Sequence, residues 1–342
     1  MNVLLIETPF HFYLLKKMVE HFDLSANNTI VFIGDLIDKK EVEKLFNGKA
    51  IYHMPLSTIK LKNLIKLKGI KELQVYYEKS RELIDSVISD RIVNLIARVI
   101  CFSDRGLFIQ LLCERIKEEV ILIAIEEGTG YYKKFTFLDS LLQILYKIVT
   151  PILLKGFVFN YYLLGKNTRT NRVYVRYIDK IIDKRKVVEY RDLLKYFEYR
   201  DNGIEVLKDS VKILILTNPL SENKFMSEKK ECELICSILN FLQEKDIEIY
   251  IKPHPRENIK KYKNISLKYI LLEQSIPSEE INCFEYSYII HFCSSAILNF
   301  MDKGYPKNRI FTYPCSSHAK RVVDLFIETN FINKIDDIKI EI

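Results

Sequence analysis

At 342 residues the chain is long enough for two domains of ordinary size, and 48% hydrophobic with 28% charged residues describes a globular chain with ample core. The net charge of +7 is moderate and suits an anionic substrate or membrane surface as readily as nucleic acid, which is not an expected partner. Seven scattered cysteines, an odd number, exclude a disulfide framework; reduced core thiols and a cytoplasmic setting are expected. Cys232 and Cys236 share a helix face, but no further His or Cys stands near to complete a zinc site, so no metal is expected.

The chain opens with a strand over Asn2–Ile6 that lacks the basic start and long apolar stretch of a signal peptide. A turn at Thr8-Pro9 follows, then a helix from Phe10 to about His21, a strand Thr29–Ile33 and a helix Lys39–Phe46. Lys49–His53 and Glu72–Tyr77 read as further strands around a stretch carrying Lys60, Lys62, Lys66, Lys68 and Lys71, a basic cluster suited to an anionic leaflet. Helices are expected through Arg81–Leu112, and Val120–Ile125 reads as a strand. Leu141–Leu164 is the most apolar window, interrupted by Lys147, Pro151, Lys155 and Asn160; it is too broken for a membrane span and reads as a buried helix pair, with a place against a bilayer surface as the alternative.

From Lys166 to Gly203 the chain turns strongly polar with little strand signal, and the domain boundary is placed there. The division is 1–165, a connecting region 166–210, and 211–342. A second alternation follows: strand Lys212–Thr217, helix Glu228–Gln243, strands Ile247–Ile251, Tyr269–Leu272 and Tyr288–Phe292. A helix from Ser295, a strand Arg309–Thr312 and a closing helix near Lys320–Thr329 complete it. Strands alternating with helices predict parallel sheets, here an α/β chain of two Rossmann-type βαβ domains facing a central cleft.

Three polar motifs stand at predicted strand ends, where open α/β sheets bind ligands. In Lys252-Pro253-His254-Pro255-Arg256, two prolines fix the backbone around an imidazole that can share a proton with a leaving phosphate. A rigid structural turn is the competing account. Ser294-Ser295 precede a helix start, where a hydroxyl is an ordinary N-cap and where free N–H groups also bind anions. Glu126 and Glu127 precede Gly128; successive strand residues face opposite ways, so one of the pair faces the cleft and could deprotonate an acceptor hydroxyl. Glu127, beside the glycine, is favoured.

The turn from Thr217 to Glu222 offers Thr217 and Asn218 to a nucleotide and Glu222 as a rival base. Glu279 is a candidate for ribose hydroxyls, or else simply an acid in the first turn of a helix. Pro255 and Arg256 join the donor-side set. Thr8 and His11 are the acceptor-side candidates. No Asp-x-Asp, GxxxxGK or GxGxxG motif is present, which favours metal-independent, cofactor-free group transfer.

The three motifs, in this order, resemble those of bacterial sialyltransferases, with closest similarity to the lipooligosaccharide sialyltransferases of glycosyltransferase family 52. The resemblance rests on Glu126-Glu127-Gly128-Thr129-Gly130, Pro253-His254-Pro255-Arg256 and Phe292-Cys293-Ser294-Ser295-Ala296, and more loosely on Lys212–Pro219 and Asp324–Asn330. It implies a GT-B fold, a CMP-sialic acid donor and inversion at the anomeric carbon, with the histidine assisting departure of CMP and the serines on its phosphate. One departure stands out: the family's acidic residue just after the turn proline is replaced here by Leu220-Ser221, with Glu222 following late. The base therefore stays divided between Glu222 and the Glu126/Glu127 pair. The implied function is transfer of sialic acid to a terminal galactoside of a surface glycan, capsule or lipooligosaccharide, at the inner face of the plasma membrane. A polysialic acid or CDP-glycerol-type polymer transferase and an inactive glycan-binding module are the alternatives. A homodimer is compatible with the sequence.

Overall fold

A computed structural model describes residues 1–46, 50–55, 67–126, 129–132, 136–160, 164–193, 211–243, 247–292, 294, 296–313 and 330–331. Glu127, Ser295, Lys60, Lys62, Lys66 and the closing helix expected over 320–329 lie outside these residues. The chain divides into two units, residues 1–197 and 198–342.

The first unit runs β1 (Asn2–Ile6), α1 (Pro9–Met18), β2 (Thr29–Ile33), α2 (Lys39–Phe46), β3 (Ile51–His53), α3 (Leu67–Val87), α4 (Asp90–Val93), β4 (Arg98–Cys101), α5 (Leu107–Arg115), β5 (Ile121–Ile125), α6 (Phe137–Leu153), β6 (Thr170–Val175) and β7 (Glu189–Asp192). Among the described residues its strands form one sheet in the order β3-β2-β1-β4-β5-β6-β7, every pair parallel. β1 and β2 are buried on both faces, as near-continuous Val, Ile and Leu runs require in a parallel sheet covered by helices.

The second unit runs β8 (Lys212–Leu216), α7 (Glu228–Gln243), β9 (Glu248–Lys252), β10 (Ile270–Leu271), β11 (Tyr288–His291), α8 (Ala296–Asp302), β12 (Ile310–Thr312) and β13 (Asn330–Phe331). Its described strands order as β10-β9-β8-β11-β12-β13, again all parallel. Each sheet thus starts in its middle and grows first one way and then the other. The reversal lies between β1 and β4 in the first unit and between β8 and β11 in the second. Ligands of such sheets sit at these switch points.

Four sequence expectations change. Glu72–Tyr77 is not a strand but the middle of α3. Its buried residues Leu73, Tyr77, Ser80, Ile84 and Val87 recur at helical spacing, and that longer period overrides the short alternation. The stretch Arg81–Leu112 is not all helix: Arg98–Cys101 is β4, hydrogen-bonded between β1 and β5. Its buried apolar run, Val99 to Cys101, is too short to carry a period that separates strand from helix. Leu141–Leu164 is not a buried helix pair; α6 lies on the surface with Leu141, Ile144, Leu145 and Ile148 exposed.

The fourth concerns the polar stretch after residue 165, read as connection. It supplies β6 and β7 to the first sheet, and its polar side chains bond that unit's own backbone. Arg169 donates to the carbonyls of Cys113 and Lys117, and Arg185 to those of Asn167 and Thr170. The buried Asp104 carboxylate, just after β4, accepts from the Gly165 amide at 2.8 Å and from Thr170 Oγ1 at 2.9 Å. Asn167 donates to the Asp104 carbonyl at 3.0 Å. Replacing Asp104 by Ala leaves the Gly165 amide and the Thr170 hydroxyl without their acceptor, and we expect thermal or denaturant unfolding to show a loss of roughly 1–3 kcal/mol; an unchanged midpoint would remove Asp104 from this role.

Candidate functional site

In the second unit, the loops after β8, β9 and β11 are tied together at the carboxyl edge of the sheet. The Thr217 amide donates to the Lys252 carbonyl at 3.2 Å, and Asn218 Nδ2 donates to the Phe292 carbonyl at 2.5 Å. These bonds bring the Thr217-Asn218, His-Pro and serine motifs to one edge of the second sheet.

The His-Pro loop is held from several sides. The His254 amide donates to Glu257 Oε1 at 3.2 Å, and the Glu257 amide donates back to the His254 carbonyl at 3.0 Å. Gln274 Nε2 donates to the carbonyls of both His254 and Glu257 at 2.8 Å. Lys252, buried, donates from Nζ to the carbonyls of Pro253 and Gln274, and burial lowers its pKa to about 8. The Arg256 amide donates to His254 Nδ1 at 3.1 Å, so in the neutral ring the hydrogen sits on Nε2. Burial first, and then the charges of Arg256 and Lys252, lower the His254 pKa to about 4. At neutral pH this half-buried imidazole is therefore an uncharged hydrogen-bond donor. A phosphate dianion against Nε2 would raise its proton affinity.

Beneath the loop lies a charge cluster that sequence reading did not find. Lys261 Nζ, fully buried, is 2.5 Å from Glu231 Oε1, 3.2 Å from Glu257 Oε2 and 3.5 Å from Glu222 Oε1. The buried Tyr262 hydroxyl donates to Glu257 Oε2 at 2.5 Å and lies 3.0 Å from Thr217 Oγ1. Glu231, on α7, accepts the Ser221 amide through its other oxygen. Glu257 and Lys261 stand one helical turn apart just after the His-Pro motif. That spacing was visible, but their burial was not.

The expected site residues fall into distinct settings. Ser294 is nearly buried; its amide donates to His291 Nδ1 at 3.2 Å and its Oγ accepts the Ala296 amide at 3.4 Å, so one serine is an N-cap. Wholly buried His291 lies 2.7 Å from Thr312 Oγ1 through Nε2, and burial lowers its pKa to about 3. Pro255 is half-buried and Arg256 exposed beside the histidine. Thr217 is buried, its hydroxyl engaged with the Lys252 carbonyl and Tyr262, which leaves half-buried Asn218 as the accessible member of that turn. Glu279 is buried and accepts from Asn299 Nδ2 and from Ser278 Oγ, fastening its turn to α8 rather than facing a sugar. Glu222 accepts the Asn258 amide at 2.7 Å and Ser221 Oγ at 3.2 Å. Burial pushes its carboxyl up, but the amide bonds and Lys261 outweigh this and its pKa is lowered.

In the first unit, Glu126 ends β5 fully buried. Its Oε2 accepts from the Tyr132 hydroxyl and from the Arg176 amide at 2.8 Å, and its Oε1 is 3.5 Å from Arg176 Nε. The Arg176 guanidinium also lies over the Phe10 ring at 5.6 Å. Glu126 thus joins the ends of β5 and β6, and its buried bonds give it an anchoring role rather than that of a base. Thr8 caps α1 by accepting the His11 amide at 3.3 Å. His11 is buried, stacked 4.2 Å from Phe102, and accepts the Glu7 amide at Nδ1. Both shape the loop at the first switch point.

A family model described as alpha-2,8-polysialyltransferase matches residues 2–302. A relative from Haemophilus influenzae of uncharacterized function is 30% identical over 124 residues, which is 34% of this chain and 38% of that protein, so the match spans well under half the relative's length. The glycosyltransferase of kitacinnamycin superposes with a TM-score of 0.55 at 10% identity, covering 99% of this chain and 87% of that one. An α/β-galactoside α-2,3-sialyltransferase from Photobacterium phosphoreum superposes with a TM-score of 0.50 at 11% identity, covering 99% of each chain. Likenesses at this identity show the fold, which is GT-B-like with two Rossmann-type sheets, as the sequence led us to expect. The chain belongs to the alpha-2,8-polysialyltransferase family. The sialyltransferase resemblance holds at that level, while the matching family is the polysialyl one rather than the lipooligosaccharide one.

Two outcomes follow from the site. Lys261→Met leaves three carboxylates without their buried cation and is expected to cost about 3–5 kcal/mol in denaturant unfolding; a loss below 1 kcal/mol would show that the cluster is not needed. His254 and His291 bind protons more weakly folded than unfolded. Acid therefore loads the unfolded chain first, and the stability they allow at neutral pH is lost as pH falls from about 6.5 towards 4 and 3. Between pH 7 and pH 4.5 the thermal midpoint should drop less in His291→Gln than in the parent; an equal drop would acquit His291.

Proposed function

We propose that this member of the alpha-2,8-polysialyltransferase family transfers sialic acid from CMP-sialic acid to a glycan hydroxyl, with inversion and without a metal. The observation that carries the reading is the second switch point, where a neutral histidine with its hydrogen on Nε2 stands in the His-Pro loop, and the Thr217-Asn218 turn is tied on one side to the His-Pro strand and on the other to the serine loop. CMP is assigned to this edge, with Ser294, Ser295 and Arg256 on its phosphate and Asn218 near the nucleoside. The acceptor oxygen attacks the anomeric carbon as the bond to the phosphate oxygen breaks. His254 Nε2–H hydrogen-bonds the departing phosphate, and the acceptor proton passes to a carboxylate.

Glu127 is our assignment for that carboxylate. Glu126 is anchored by Tyr132 and Arg176. Glu222 is bound to the amide of Asn258, within the loop that carries His254. That puts it on the side of the leaving group, whereas an inverting base stands opposite. Glu222 then positions the His-Pro loop.

Two acceptors are consistent with these roles. The motif resemblance points to a terminal galactoside, and the family match favours a terminal sialic acid extended through an α-2,8 bond. Incubation with CMP-sialic acid and either lactose or a sialic acid oligomer, followed by mass spectrometry, separates them. CMP release without transfer to either acceptor would defeat both, and no turnover at all would favour an inactive glycan-binding module. His254→Ala should lower kcat by about 10²–10⁴-fold with little change in CMP affinity. Near-normal turnover in that variant sinks the histidine's role. Glu127→Gln should abolish transfer while sparing CMP binding; if activity survives there and is lost in Glu222→Gln, the second unit supplies the base.

A further inference from the structure

Helix α6 is built inside out. Its inward face carries Asp139, Tyr146 and Thr150, all buried, and it docks through polar bonds. Asp139 forms a capping box with Thr136, donating its amide to Thr136 Oγ1 at 3.2 Å and accepting the Thr136 amide at 3.0 Å. Thr150 Oγ1 donates to the Tyr146 carbonyl at 2.7 Å and accepts the Phe159 amide at 2.9 Å. Gln143 donates to the Asn160 carbonyl, and Gln74 of α3 donates to the Leu153 carbonyl at 3.0 Å.

The outward face carries Phe137, Leu141, Ile144, Leu145, Ile148 and Ile152, at the spacing of one helical stripe. Phe137 and Ile152, at its two ends, are 79% and 80% exposed, and the four between them 47–60%. A contiguous apolar stripe turned outwards marks an interaction surface. At about 1.5 Å per residue the helix is roughly 25 Å long, and among the described residues no helix is long and apolar enough to cross a membrane.

Charge decides what covers the stripe. Between residues 131 and 155 the sequence carries Lys133, Lys134, Lys147 and Lys155 against one acid, Asp139, whose carboxylate is consumed in the cap. Exposed Lys147 flanks the stripe, and Lys155 stands at its carboxyl end, 2.7 Å from Glu78 of α3. The same α3 begins within the lysine run 60–71. An apolar stripe edged by lysines is the pattern of a helix lying in the plane of an anionic membrane surface, with its apolar side among the acyl chains and its lysines at the headgroups. A symmetric contact between two copies would set these lysines against themselves.

We infer that α6 docks the first unit on an anionic bilayer, lying flat with Phe137, Ile144, Ile148 and Ile152 inserted. The inference is independent of the transfer chemistry.

Flotation of the full chain with vesicles of phosphatidylcholine alone, or mixed with phosphatidylglycerol, tests it. The protein is expected to float with the phosphatidylglycerol vesicles. Ile144→Glu with Ile148→Glu should weaken that binding at least about tenfold, with an unchanged thermal midpoint because both side chains are exposed. Phe137→Ser with Ile152→Ser repeats the measurement at the stripe's ends should the first pair misfold. Absent flotation, or flotation that both variants retain, overturns the assignment. So does equal binding to pure phosphatidylcholine, which leaves the lysines no part. Light scattering that shows a dimer dissociated by the same variants, with no vesicle binding, assigns the stripe to a second copy instead.

Discussion

One buried ammonium holds the loops at the carboxyl edge of the second unit's sheet in place. Lys261 Nζ meets carboxylates from three separate pieces of chain: Glu231 on α7, Glu222 after β8 and Glu257 after β9. A fully buried charge of this kind is unfavourable unless every partner is well placed, so the cluster is satisfied in one arrangement of the loops and penalised in others. That arrangement includes the His-Pro turn, because Glu257 binds the His254 amide with one oxygen and the Lys261–Tyr262 pair with the other. The histidine's backbone is thus held by a carboxylate of the same cluster.

The state of the histidine follows from the same packing. His254 and His291 both use Nδ1 as an acceptor for a backbone amide two or three residues on, and both are kept neutral by burial. They differ in what Nε2 meets. In His291 it is closed off against Thr312, and the ring serves only to shape the serine loop. The His254 ring is half-buried and Arg256 beside it is exposed. One local motif, set at two depths, yields a structural imidazole and one suited to a phosphate.

The first unit uses carboxylates in a parallel way. Asp104 and Glu126 are both fully buried at the carboxyl ends of central strands, and each gathers donors from later chain, Asp104 from Gly165 and Thr170, Glu126 from Tyr132 and Arg176. These bonds draw the polar stretch after residue 165 into the sheet. Hydrophilic composition signalled a connection there, but its arginines and asparagine serve internal carbonyls, and the two strands they flank complete the sheet edge. The same reversal shapes α6, where polar residues face in and apolar ones face out. Composition reports how polar a segment is; it does not report which way the polarity points.

What the sequence determined by itself was the alternation of strands and helices, the two-sheet architecture and the placing of three polar motifs at strand ends. These depend on local apolar runs and on prolines and glycines, whose effects reach only a few residues. β1, β2, α2 and α7 run over the expected residues for that reason. Tertiary structure decided what each side chain does. Glu126 and Glu279 become anchors because their neighbours in space, Arg176 and Asn299, lie 50 and 20 residues away in sequence. Lys261 escaped notice because a lysine beside an acid one turn earlier looks like a solvated pair until burial is known. β4 stayed hidden because a four-residue strand with three consecutive buried residues carries no period of its own. Burial and long-range contact are properties of the folded chain, and the choice between base, anchor and cap rests on them.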